Sequence, residues 1–127
     1  MKSHFLLVIL VFLISNCDSM DCENLKTGTF RLHGEDGTTH IIKRTETHQS
    51  ETIEESGLVS EFDIEWSNEC EYKLFKRRVT AGTDRYPDMI IDTLFCEILE
   101  INGKFHTTKT SSKEYKFTAT AKLEKIE

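Results

Sequence analysis

The chain has 127 residues, 16 Lys+Arg against 22 Asp+Glu, a formal net charge of -6 and four cysteines. A chain of this length makes one domain rather than two. The acidic balance argues against nucleic acid as a partner, and against docking on anionic lipid through protein charge, because both need clustered Lys and Arg.

The first element in chain order is a targeting segment. Lys2 gives a basic start, residues 5–14 are an unbroken apolar run, and Ser15, Asn16 and Cys17 close it. That run is about half of what a membrane-spanning helix requires, so residues 1–16 read as an export signal peptide and not as an anchor. A cysteine directly after such a run predicts processing at Cys17 and a lipid on its sulfur, which would make the membrane a partner. Ile14 and Ser15 fit the usual lipoprotein pattern, whereas Asn16 departs from the Gly, Ala or Ser that normally precedes the cysteine. Ordinary cleavage after Ser19, giving a secreted or periplasmic protein, is the competing reading. The expected layout is a signal over residues 1–16, an acidic tether over 17–26 and a β domain over 27–127. Processing at Cys17 leaves 111 residues and removes only Lys2 among the charges, so the net charge becomes -7.

Beyond the signal, helical periodicity is nearly absent and period-two alternation is plentiful. Residues 28–33 read as a first strand, with Phe30 and Leu32 on one face, and residues 34–37 as a turn. Residues 38–52 read as one long, largely polar second strand. The clearest alternation is Glu61-Phe62-Asp63-Ile64-Glu65-Trp66, as a half-buried strand requires. It connects through residues 67–69 to Cys70-Glu71-Tyr72-Lys73-Leu74-Phe75-Lys76. Placing Trp66 opposite Cys70 pairs Ile64 with Tyr72, Phe62 with Leu74 and, on the wet face, Asp63 with Lys73. Residues 80–88 are irregular. Residues 89–101 form the next strand, and Asn102-Gly103 is a hairpin turn into residues 104–110. A last strand carries Tyr115, Phe117, Ala119, Ala121 and Leu123 on its apolar face. About seven strands on short connections predict an all-β fold, a single antiparallel meander curled into a small barrel-like, lipocalin-like domain. A flat sandwich is the alternative.

No catalytic constellation emerges. The histidines His33, His40, His48 and His106 lack ligand-pair spacing and fall on polar strands, so they read as exposed, with no metal and no cofactor implied. Glu61, Asp63, Glu65 and Glu71 match the wet face of a strand as well as they match paired catalytic carboxylates. Cys96, between Leu94 and Ile98, reads as a small core residue with no base beside it. Cys22 and Cys70 start two elements at one end of the domain, and they are either a disulfide or two free thiols. The strand around Cys96 is apolar on both sides, and Phe95, Leu99 and Ile101 on its second face form a candidate contact patch for an envelope protein partner.

Three segments carry a resemblance: Cys22-Glu-Asn-Leu-Lys-Thr-Gly-Thr-Phe30, Ile64-Glu-Trp-Ser-Asn-Glu-Cys-Glu-Tyr-Lys-Leu74 and Ile98-Leu-Glu-Ile-Asn-Gly-Lys-Phe105. Together they resemble a family of small, uncharacterised envelope lipoproteins of Bacteroidetes-type bacteria, over nearly the whole chain. The resemblance implies a lipid-bearing cysteine, a β domain at the outer membrane on its periplasmic or surface face, and a Cys22–Cys70 bridge. Members sometimes carry the label DNA topoisomerase IV, which an exported, acidic chain of this length does not support. Two functions are expected. One is a non-enzymatic, lipid-anchored β domain acting by protein contacts at the cell envelope. The other is a small-ligand carrier whose cavity is lined by Phe30, Phe62, Ile64, Tyr72 and Phe117. Eight strands can enclose a ligand, whereas fewer fill with their own side chains.

Overall fold

The computed structural model describes residues 20–88 and 92–127. The expected export signal, with Cys17 and Ser19 as the expected lipidation and alternative cleavage positions, lies outside these residues. One 3₁₀ turn, Glu23–Leu25, precedes eight strands: β1 (Gly28–His33), β2 (Thr39–Arg44), β3 (His48–Ile53), β4 (Leu58–Trp66), β5 (Glu71–Ala81), β6 (Thr93–Asn102), β7 (Phe105–Ser112) and β8 (Phe117–Lys125). They form a closed antiparallel barrel in chain order. Closure joins Phe30 to Lys125 and Arg31 to Glu124, and an Arg31–Glu124 ion pair of 2.7 Å spans the seam on the outer face. Closing the sheet removes both unpaired edges, which an exposed strand would otherwise offer to other chains.

The expected seven strands are eight because residues 38–52 do not run as one strand. The chain reverses at Thr45-Glu46-Thr47, where the Thr45 amide donates to the His48 carbonyl at 2.8 Å and its hydroxyl to the same oxygen at 3.3 Å. No glycine, proline or asparagine marks this turn, so the usual punctuation was missing. The β4–β5 register also differs from the expected one. Trp66 lies opposite Tyr72, Ile64 opposite Leu74 and Glu65 opposite Lys73. A slip of two residues keeps every side chain on its face, so the hydrophobic pattern could not discriminate it. On the wet face the ion pair is therefore Lys73–Glu65, at 3.6 Å. The β6–β7 turn also sits one residue on from the expected Asn102-Gly103. Asn102 ends β6 and pairs with Phe105, leaving Gly103 to take a φ of 61°.

Two irregularities re-aim side chains. In β5 the ladder shifts opposite Phe62, and Lys76 adopts a φ of 53°. This bulge turns Arg77 toward Ser60, to whose hydroxyl its Nη2 donates at 3.2 Å. In β6 the ladder shifts between Ile98 and Glu100. Leu99 is the extra residue, so Ile101 pairs with the inward His106 and packs against the core. The expected second apolar face of this strand is thus cut short. Phe95 and Leu99 remain exposed, but Ile101 does not belong with them. A bulge of this kind inverts the alternation that follows it.

Phe30, Ile42, Phe62, Ile64, Leu74 and Ile98 are all buried within the barrel. One end of the barrel is plugged. Cys22 is bonded to Cys70, with Cα atoms 5.3 Å apart, and this ties the N-terminal segment to the β4–β5 hairpin. Leu25 drops into the core, and Lys125 Nζ donates to the Asn24 carbonyl. The opposite end carries the β1–β2, β3–β4, β5–β6 and β7–β8 connections. There Gly82, at φ 77°, allows the end of β5 to lie against β4; a Cβ at this position would come within 2.6 Å of Leu58 Cα.

Candidate functional site

The barrel interior is the candidate site, and its polar residues are the unexpected part. β2 and β3 read as a polar strand, yet closure turns alternate residues inward, including Ile42 and Arg44 from β2 and Gln49 and Glu51 from β3. Arg44 is 3 % exposed. Its guanidinium lies between two rings, 4.7 Å from the Phe30 centroid and 4.8 Å from that of Tyr72. Nε donates to Gln49 Oε1 at 2.8 Å, Nη1 to the Leu25 carbonyl at 2.7 Å and Nη2 to Tyr72 Oη at 3.1 Å. Arg44 thus fastens the plug to the barrel from within. It forms no ion pair with any carboxylate among the described residues.

Above Arg44 lies a cavity of about 90 Å³, lined by Leu32, Ile42, Glu51, Tyr72, Thr108 and Ala121, among others. That is several times the volume one water molecule needs. Burial pushes the Glu51 carboxyl above the usual carboxylate range, against the pull of His40 and Arg44. The Tyr72 hydroxyl is raised by the same cause and stays protonated. Cys96 also borders the cavity. Burial pushes its thiol up to about 11, so it is an inert wall residue at neutral pH. Thr108 is buried, and its hydroxyl has no hydrogen-bond partner among the described residues.

At the end opposite the plug, a second hollow of about 460 Å³ is bordered by Ile53, Leu58, Arg77, Asp84, Arg85 and Tyr86. Ile53 is two residues beyond Glu51 on the inner face of β3, so this hollow lies on the side of the cavity away from the plug. Residues 83–86, after β5, form part of its rim. Arg77 Nη1 bonds Asp84 Oδ2 at 2.9 Å, which holds the rim to the barrel and keeps the Asp84 carboxyl below its usual range.

The expected cavity residues are distributed differently. Phe30, Phe62 and Ile64 fill the barrel as core, Phe117 is half-buried at the start of β8, and Tyr72 alone of the five lines the cavity. Sequence reasoning overlooked Arg44, Glu51 and Thr108, whose polarity suggested a wet face. The one available signal was that Arg44 continues the alternation of Ile42. Phe95 borders a separate outer groove of about 380 Å³, and Lys113 Nζ lies 4.7 Å above its ring.

His106 corrects another expectation. Its polar strand position predicts exposure, but it is 2 % exposed, packs edge-on against Phe30 at 5.3 Å, and neither ring nitrogen has a partner among the described residues. Burial, with Arg44 and Lys125 adding to it, lowers its pKa from 6.5 to about 4. The native state therefore holds the neutral ring while the unfolded chain takes up a proton between pH 6.5 and 4. Stability is lost as the pH falls through that window. His106→Leu should flatten this slope, and urea titrations at pH 7 and pH 4 should show the wild type losing on the order of 2 kcal/mol more than the variant.

No protein-family model matches the chain, and no curated protein or solved structure gives a significant match.

Proposed function

We propose that this domain is an exported, non-enzymatic carrier that binds a small molecule inside its barrel, and that a lipid on Cys17 holds it at the cell envelope. The observation that carries the binding reading is the interior cavity, where the buried Thr108 hydroxyl has no partner among the described residues and Arg44 and Glu51 sit beside apolar wall. A barrel that only needed to be stable would fill this volume with apolar side chains. Eight strands give an interior just wide enough for this purpose. The Cys22–Cys70 bridge is consistent with a compartment outside the reducing cytosol. Absence of chemistry is favoured because the buried thiol and phenol are both pushed away from their reactive, ionised forms.

A neutral fluorescent naphthylamine dye tests the binding reading. The wild type should enhance its fluorescence saturably, and Ala121→Trp, which fills the cavity from β8, should abolish the effect while leaving the circular dichroism unchanged. Equal enhancement by the variant would place the dye on the outside and contradict the reading. For the anchor, Cys17→Ser should move the protein from the membrane fraction to the soluble one; unchanged membrane association would exclude lipid on that cysteine.

A further inference from the structure

The carrier reading leaves open what kind of molecule is carried, and the inference below rests on that reading. Arg44 brings a full positive charge into a space where a lone ion is costly to bury. It has five N–H groups, of which the Gln49, Leu25 and Tyr72 contacts use three. Two therefore remain, and no carboxylate among the described residues makes a direct ion pair with Arg44, although Glu51 on the same cavity feels its charge. Tyr72 accepts from Arg44 and its own hydroxyl is engaged with the Cys96 thiol, so it helps hold the guanidinium and is not a free donor. The Thr108 hydroxyl, buried without a partner on the same cavity, is a further donor. Hydrogen-bond donors thus come from β2 and β7, while Leu32, Ile42, Leu74 and Ala121 supply apolar wall. The acid on the cavity, Glu51, has its carboxyl raised above the usual range by burial, against the pull of His40 and Arg44.

We infer that the deep cavity takes the carboxylate head of a small amphipathic acid, with Arg44 and Thr108 as its donors and the apolar body directed along the barrel axis. Charge complementarity fixes the head, because an anion here gives Arg44 the direct ion pair that it lacks among the described residues. The apolar walls fix the body. A simple inorganic anion would use the first feature and waste the second.

The test is calorimetric titration of the folded protein with hexanoate, 1-hexanol and sulfate at pH 7. Hexanoate should bind at least about tenfold more tightly than 1-hexanol, as a charge-assisted head requires, and sulfate should be the weaker anion. Equal affinities for hexanoate and 1-hexanol would overturn the head-group assignment while leaving the carrier reading standing. Binding of neither would overturn both. Sulfate binding as tightly as hexanoate would overturn the amphipathic ligand. Thr108→Val preserves shape, so its folding is not in question. It should weaken hexanoate several-fold and leave 1-hexanol unchanged, whereas an equal effect on both would remove Thr108 from the site.

Discussion

Arg44→Ala should lower the unfolding free energy by about 3 kcal/mol, a large effect for a polar side chain. Three hydrogen bonds from a charged donor would vanish, leaving the Leu25 carbonyl, the Gln49 amide oxygen and the Tyr72 hydroxyl without their partner. The cost of stranding buried polar groups accounts for most of the loss. The offset is the relief of a buried charge, so Arg44→Met, which fills the gap between Phe30 and Tyr72 with an apolar chain, should cost less than Arg44→Ala. Urea denaturation of both variants measures the order. An Arg44→Ala loss below about 1 kcal/mol would show that the guanidinium does not hold the plug.

Opening the Cys22–Cys70 bridge should have an effect of similar size. The two cysteines are 48 residues apart in sequence, and a loop of that length restrains the unfolded chain by about 4 kcal/mol in the chain-entropy account. Small domains have total stabilities of roughly 5–15 kcal/mol, so the loss is a large part of the whole. The double variant Cys22→Ala/Cys70→Ala should unfold at a clearly lower urea concentration than the wild type. Adding reductant should shift the wild type toward the variant and leave the variant unmoved, because Cys96 is free and buried. A shift of the variant under reductant would mean that another thiol pairing contributes.

What was legible in the sequence follows from what alternation encodes. Phe62, Ile64 and Trp66 alternate with acids, and that pattern identifies strands and faces without knowledge of the partner strand. It does not fix register to better than two residues, which is why Ile64 pairs with Leu74 and not Tyr72. The eighth strand was hidden because a Thr-Glu-Thr turn has no backbone signature. A curled barrel was expected, but not which polar residues it would enclose. The polarity of Arg44, Glu51, His106 and Thr108 pointed to outward faces, whereas the barrel turns these positions toward its interior. The bulge at Leu99 had a similar effect, since it moved Ile101 from the expected patch into the core.

Methyl-labelled nuclear magnetic resonance with bound hexanoate tests the interior site most directly. Nuclear Overhauser contacts should run from the hexanoate chain to the methyls of Leu32, Ile42, Thr108 and Ala121, all on the cavity wall. Contacts confined to outward-facing residues such as Thr107 and Thr118 would instead place the ligand outside the barrel and contradict the account.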